Sequence, residues 1–277
     1  MKKIIVPIDF SKHSEQALKS AANLASKNNA EIIALHMLEL QKANLSSSDS
    51  HQNEKIAFYV KLAEKRFSKF LSKEYLQGIK ITPIVKYHKV FEEVNDIADS
   101  MNADLIIMGS HGVSGAKEYF IGSNTEKMIR YANIPVLVIK NELSDVYFEE
   151  VVFACDFSDE ALSPYLKAKK ALASLGVNTH LLYVNLPNEK FQSTLEMEKK
   201  VASFMKRAGE NVEAINKVNY VADYSIEKGV LNFSNLIGAD LVAVITHGRR
   251  GMSHFFKGSV SEDIANHSTL PVITFKI

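Results

Sequence analysis

The chain has 277 residues, with 33 lysines and arginines against 32 aspartates and glutamates, and 46% of its positions are hydrophobic. At ~150 residues per domain this is a globular chain of about two domains, and collagen-like, disordered and low-complexity architectures are excluded. A net charge of +1 gives no basic excess for a nucleic-acid partner, and one cysteine precludes an internal disulfide and fits a reducing cytoplasm. No run approaches the ~20 apolar residues of a membrane span. The opening MKKIIVPIDF begins as a signal peptide does, but Pro7 and Asp9 end its apolar run.

IIVPI (4–8) is a short apolar run closed by Asp9 and predicts a buried strand. Ala17, Ala21, Leu24 and Ala25 then recur at helical spacing, with Ser11 or Ser14 placed to cap the helix start. IIALHML (32–38) is a second buried run. Ile56, Val60, Ala63, Phe67, Phe70 and Leu71 mark a long amphipathic helix, and IKITPIVKY (79–87) alternates as a strand does. Val90, Val94, Ile97, Ala98 and Met101 mark a third helix. DLIIMG (104–109), a helix from about Ser123 and the strand PVLVI (135–139) complete the series. Five strands alternating with four helices predict an α/β domain whose parallel sheet is covered on both faces. Continuous apolar strands agree, because a strand buried on both sides need not alternate.

Beyond NELSDVYF (141–148) the series begins again. KIIVPIDFS (3–11) returns as EVVFACDFS (150–158), 147 residues on. ADLIIMGSHG (103–112) returns as ADLVAVITHG (239–248), and IPVLVIK (134–140) as LPVITFK (270–276), both 136 residues on. The shortfall falls where the first repeat carries the polar QKANLSSSDSHQ (41–52) and the second only NLPN (185–188). One domain is therefore duplicated in tandem, as 1–140 and 149–277 joined by a linker at 141–148.

Ligands of open α/β sheets bind beyond the carboxyl ends of the strands. Asp9 ends the first strand, Gly109-Ser110-His111-Gly112-Val113-Ser114-Gly115 follows the fourth, and Gly122-Ser123-Asn124 opens the last helix. Glycines let backbone N–H groups approach an anion and permit positive φ, while a helix start adds donors and a favourable dipole. The set suits a phosphate.

The spacing Gly-x2-Gly-x9-Gly-Ser, met by Gly109, Gly112, Gly122 and Ser123, resembles that of the universal stress proteins, and VPIDFS and ADLIIMGSHG extend the resemblance. It covers both repeats and implies two tandem sheets of order 3-2-1-4-5 of the adenine nucleotide alpha hydrolase-like fold. It also implies ATP, with Mg2+ as its candidate companion, in a stress-response or signalling module. By position, Pro7, Ile8 and Asp9 would contact the adenine or ribose side, Met37 would line the adenine, and Met108 and Gly109 would flank the ribose. Gly112, Gly122, Ser123 and Asn124 would hold the phosphates, with His111 in the same loop. In the second repeat the matching set is Asp156, Val184, Gly248, Gly258, Ser259 and Val260, with Gly251, Arg249, Arg250 and Lys257 nearby. Ile245 stands there in the place of Gly109, and Ala154 in that of Pro7, so a degenerate site is expected. The resemblance further implies pairing of the two domains through their last strands, with a homodimer as the alternative assembly.

Competing classes fit less well. No Gly-x4-Gly-Lys-Ser/Thr occurs, which excludes a P-loop NTPase, and neither Gly-x-Gly-x-x-Gly nor Ser-Gly-Gly follows the first strand. Asp9 has no adjacent acid, unlike a phospho-acceptor receiver. His111 is the one assignable base near the glycine loop, so the expectation is a binding protein with at most slow ATP hydrolysis. The alternatives are a slow ATP-hydrolysing enzyme or an interaction scaffold that binds no nucleotide. Cys155 reads as a buried thiol, His36 and Tyr183 as wall residues, and the nine histidines show no metal-ligand spacing.

Overall fold

The computed structural model describes residues 1–38, 50–87, 90–110, 121–140, 148–246 and 260–277. The chain divides into two compact units, Met1–Met128 with Ala132–Val146, and Tyr147–Ile277 with Ile129–Tyr131. The first repeat runs β1 (Lys3–Pro7), α1 (Lys12–Asn28), β2 (Glu31–Leu38), α2 (Ser50–Phe70), β3 (Ile81–Tyr87), α3 (Val90–Met101), β4 (Leu105–Gly109), α4 (Ser123–Tyr131) and β5 (Val136–Ile139). Its strands are all parallel and lie in the order β3-β2-β1-β4-β5. This is the α/β architecture that the periodicity predicts, in the order that the resemblance implies.

The second repeat runs β6 (Glu150–Ala154), α5 (Leu162–Leu175), β7 (Asn178–Asn185), α6 (Thr194–Arg207), α7 (Val212–Asn216), β8 (Asn219–Ala222), α8 (Ile226–Ile237), β9 (Leu241–Thr246), α9 (Val260–His267) and β10 (Val272–Lys276). Its order, β8-β7-β6-β9-β10, is the same once the repeats are matched. Two features depart from the first repeat. The short α7 buries none of its residues, and β8 alternates between half-buried and exposed positions. Among the described strands β8 pairs only with β7, so one side of it faces solvent.

The local reasons are legible. Ser11 caps α1 by accepting the Ser14 N–H at 3.2 Å. Ser193 and Glu196 form a reciprocal capping box on α6. Asn29, Gly176 and Gly238 end α1, α5 and α8 in the left-handed region. In the first unit Ile4, Ile5, Ile32, Leu35, Leu105 and Ile106 are fully buried, against an α1 face of Ala17, Leu18, Ala21 and Ala25.

The repeated Ala-Asp dipeptide has a structural use. Asp104 Oδ2 accepts the Lys2 and Lys3 N–H groups at 2.5 and 3.0 Å. Asp240 Oδ2 accepts those of Glu149 and Glu150, both at 3.0 Å. Each carboxylate therefore ties the fourth strand of its unit to the entry of the first.

Candidate functional site

Register determines which residues share the carboxyl edge of the first sheet. Pro7 lies opposite Leu35, Ile5 opposite Ile106, and Gly109 opposite Ile139. Continuing these registers sets Met37, Asp9, Ser110 and Lys140 level with one another. Pro7, Ile8, Asp9, Met37, Met108 and Gly109 thus gather at the ends of three adjacent strands. α4 is tied to the same edge: the Gly122 N–H donates to Ser110 O at 2.7 Å, and Thr125 Oγ1 donates to Gly109 O at 3.0 Å. Gly122, Ser123 and Asn124 are brought there in this way, whereas His111 and Gly112 lie outside the described residues.

Asp9 is held by its own turn. The Ser11 N–H and hydroxyl both donate to Asp9 Oδ1, at 3.0 and 2.5 Å. Phe10 between them stands at φ 64°, where a non-glycine residue costs about 1–3 kcal/mol unless its surroundings impose it. They do: its ring packs on His36, Phe67 and Phe70 at centroid distances of 4.6, 5.2 and 5.5 Å, with Arg66 at 5.7 Å. The second repeat copies the device, with Phe157 at φ 52° against Tyr183 and Phe204 at 5.9 and 5.3 Å.

His36 Nδ1 lies 2.6 Å from Ile8 O, and since a carbonyl only accepts, Nδ1 carries the proton. Burial holds the His36 pKa below its usual value, and the hydrogen bond to Ile8 opposes that shift. Lys140, which the sequence reading does not single out, has its ammonium drawn down to about 8 by burial. A lysine that follows an apolar strand carries no sequence signal distinguishing it from an ordinary surface end. Cys155 is buried, with its thiol pushed up to about 12 by desolvation, as befits an inert core group.

The two described glycines of the motif serve reasons other than positive φ. Gly122 has φ −64° and ψ 150°, which any residue adopts, and Gly109 is absent from the described residues with positive φ. A left-handed turn is therefore no reason for glycine at position 109 or against Ile245 at the matching place. Gly109 is small because α1 is close. A Cβ there would lie 2.7 Å from both His13 Cβ and His13 O. Gly122 caps α4 with no side-chain hydrogen bond. The first amides of a helix have no partner within it, so this end suits an anion.

The second edge is built differently. Asp156 Oδ1 accepts the Ser158 N–H at 3.0 Å, but Ser158 Oγ is buried without a hydrogen-bond partner. Val184, matched to Met37, is covered by α8, whose Gly229 would place a Cβ 2.7 Å from Val184 Cγ1. Val260 opens α9, whose first turn carries Glu262 and Asp263 where α4 carries Glu126 and Lys127. Burial first, then Glu227, raises the Asp263 pKa. Gly248, Gly258 and Ser259 lie outside the described residues, as do Arg249, Arg250, Gly251 and Lys257. Among the described residues no group of three His, Cys, Asp or Glu could hold a metal ion, and no helix is long and apolar enough to cross a membrane.

The universal stress protein family model matches residues 1–140 and again 148–276. A universal stress protein of Synechocystis sp. is 26% identical over the full length of both chains. One of Methanocaldococcus jannaschii is 34% identical over 160 residues, covering 52% of this chain and 97% of that relative. The crystal structure of a universal stress protein from Archaeoglobus fulgidus has the same fold, with a TM-score of 0.69 and 22% identity over 99% of this chain and 96% of that one. Matched once in each repeat, the chain belongs to the universal stress protein family and carries its domain twice in tandem.

Proposed function

We propose that the protein is a stress-response module that binds ATP at the carboxyl edge of its first sheet, and that occupancy rather than turnover is its signal. The observation that carries this reading is the N-terminus of α4, which lacks a side-chain cap and is tied by Gly122 and Thr125 to the end of β4, level with Asp9. Pro7, Ile8 and Met37 would line the base, Asp9, Met108 and Gly109 the ribose, and the first amides of α4 with Ser123 and Asn124 the phosphates. His111 and Gly112 would complete the phosphate loop. Any Mg2+ would arrive on the phosphates, because no described cluster offers a site of its own. His111 is the one assignable base near the glycine loop, so at most slow hydrolysis is proposed.

The test is calorimetric titration of ATP into the wild type and Gly122→Val. Valine adopts the backbone angles of Gly122, so the fold is retained apart from about 1 kcal/mol of cap preference. Its branched side chain would occupy phosphate space. Binding by the wild type and at least a tenfold loss in the variant are expected. A wild type that binds no ATP, or a folded variant of unchanged affinity, overturns the reading.

A further inference from the structure

The two repeats start their first helices differently. α1 begins at Lys12, three residues after Asp9, and the Ser11 carbonyl accepts from Glu15, four residues on. α5 begins at Leu162, six residues after Asp156, and the matching Ser158 carbonyl accepts from Ala161, only three residues on, at 3.1 Å. Ala161 caps α5 with no side-chain hydrogen bond. Ser11 Oγ thus accepts from Ser14 and donates to Asp9, whereas Ser158 Oγ is buried with nothing to bond. The second repeat has lost the opening turn of its helix and kept the serine that would cap it.

Pro164, third in α5, confines that helix to a late start, and the strand next door bears on the same turn. A Cβ on Gly109 would meet the backbone and Cβ of His13, which is in the first turn of α1, at 2.7–2.8 Å. Ile245 carries that Cβ and two further branches at the matching position of β9. We propose that the missing Cβ of Gly109 serves the site through α1, while its backbone is left to flank the ribose. Its missing Cβ seats the first turn of α1, which delivers Ser11 to Asp9; in the second repeat Ile245 fills the matching place, and Pro164, third in α5, separately bars a helix that starts as early as α1 does. Gly109 is then a positioning residue. Asp9 is oriented by two donors and Asp156 by one.

This rests on the ATP reading for its affinity readouts alone; the exchange and stability readouts stand without it. In Gly109→Ala, hydrogen exchange at the Ser14 and Glu15 amides is expected to accelerate at least tenfold in the ligand-free protein, and ATP affinity to fall about tenfold. Ser11→Ala should lower ATP affinity similarly and Ser11→Thr should retain it, since the threonine hydroxyl can still reach Asp9. The double variant Gly109→Ala/Ser11→Ala should bind no more weakly than Gly109→Ala. Lost affinity with slow exchange at Ser14 and Glu15 would mean that the added Cβ obstructs the ligand itself and overturn the proposal. If Gly109→Ala does not fold or the wild type binds no ATP, the second repeat decides. Ser158→Ala should be neutral in the wild type and in Pro164→Ala alone, and in an Ile245→Gly/Pro164→Ala background it should lower the folding equilibrium constant about tenfold, as loss of a helix cap does. A Ser158→Ala effect that is the same in Pro164→Ala and in Ile245→Gly/Pro164→Ala refutes the seating.

Discussion

His36 shows how one residue serves the edge of the first sheet. Its Nδ1–H donates to Ile8 O, the residue before Asp9, and its ring lies against Phe10, which the fold holds at φ 64°. The groups facing it are the Ile8 carbonyl and Asp9 from β1 and its turn, and Arg66 with Phe67 from α2. Burial, the largest cause, lowers its pKa, and Arg66 acts in the same direction. The folded unit therefore binds fewer protons than the unfolded chain as pH falls through ~6.5, the ordinary value. The corresponding stability is intact above that pH and is lost progressively as pH falls toward the lowered value. His36→Asn keeps a donor for Ile8 O and removes the titration. Thermal melts of the variant are expected to depend less on pH between ~6.5 and 5 than those of the wild type. Parallel acid profiles for the two proteins would contradict this. The second repeat carries Tyr183 at this position, so its edge has no counterpart of the effect.

At the scale of elements, the carboxylates that begin β4 and β9 have the clearest structural consequence. Asp104→Ala removes the acceptor for two backbone N–H groups and is expected to destabilise the first unit by about 1–2 kcal/mol in urea titration, and Asp240→Ala the second by a similar amount. An unchanged midpoint in either variant would assign the repeated aspartate another purpose. The sequence shows both aspartates as part of a repeat and hides their partners, which lie 102 residues away at Lys2 and 90 at Glu150. The elements themselves are readable because their apolar runs and helical spacings are driven by burial: Ile4–Val6, Ile32–Leu35 and Leu105–Met108 are all core. α7 escapes that reading because it buries nothing and so leaves no periodic apolar trace. At the edge, the glycine spacing locates Gly109 and Gly122 correctly at the ends of β4 and before α4. It cannot say that Gly109 is small for the sake of α1, because His13 is 96 positions away and the contact exists only in the folded chain.

On the scale of the whole chain, duplication has produced two edges with one plan and different fittings. The first presents an α4 whose opening residues include Lys127, with Asp9 held by two donors. The second has Ile245 for Gly109, Val184 covered by Gly229 of α8, and Asp263 in the first turn of α9 where α4 has Lys127, the acid before it being common to both as Glu126 and Glu262. Acidic side chains at a helix start interact favourably with its dipole, and by the same sign they compete with a phosphate for that end. The raised Asp263 pKa reflects burial first and then Glu227, with His267 opposing and Glu262 adding to the rise. Steric misfit alone, at about 1–3 kcal/mol, corresponds to a ~5- to 150-fold loss of affinity. Titration of the wild type is therefore expected to show about one tightly bound ATP per chain, assigned to the first unit by its loss in Gly122→Val. Ile245→Gly should strengthen a second, weaker event without restoring it fully, since Asp263 remains. Asp263→Lys added to it should strengthen that event further, and the gain should shrink in part as salt is raised, because Asp263 is half-buried and the Debye length is ~10 Å at 0.1 M. Two equal sites in the wild type would refute this asymmetry, as would a second event that neither substitution moves.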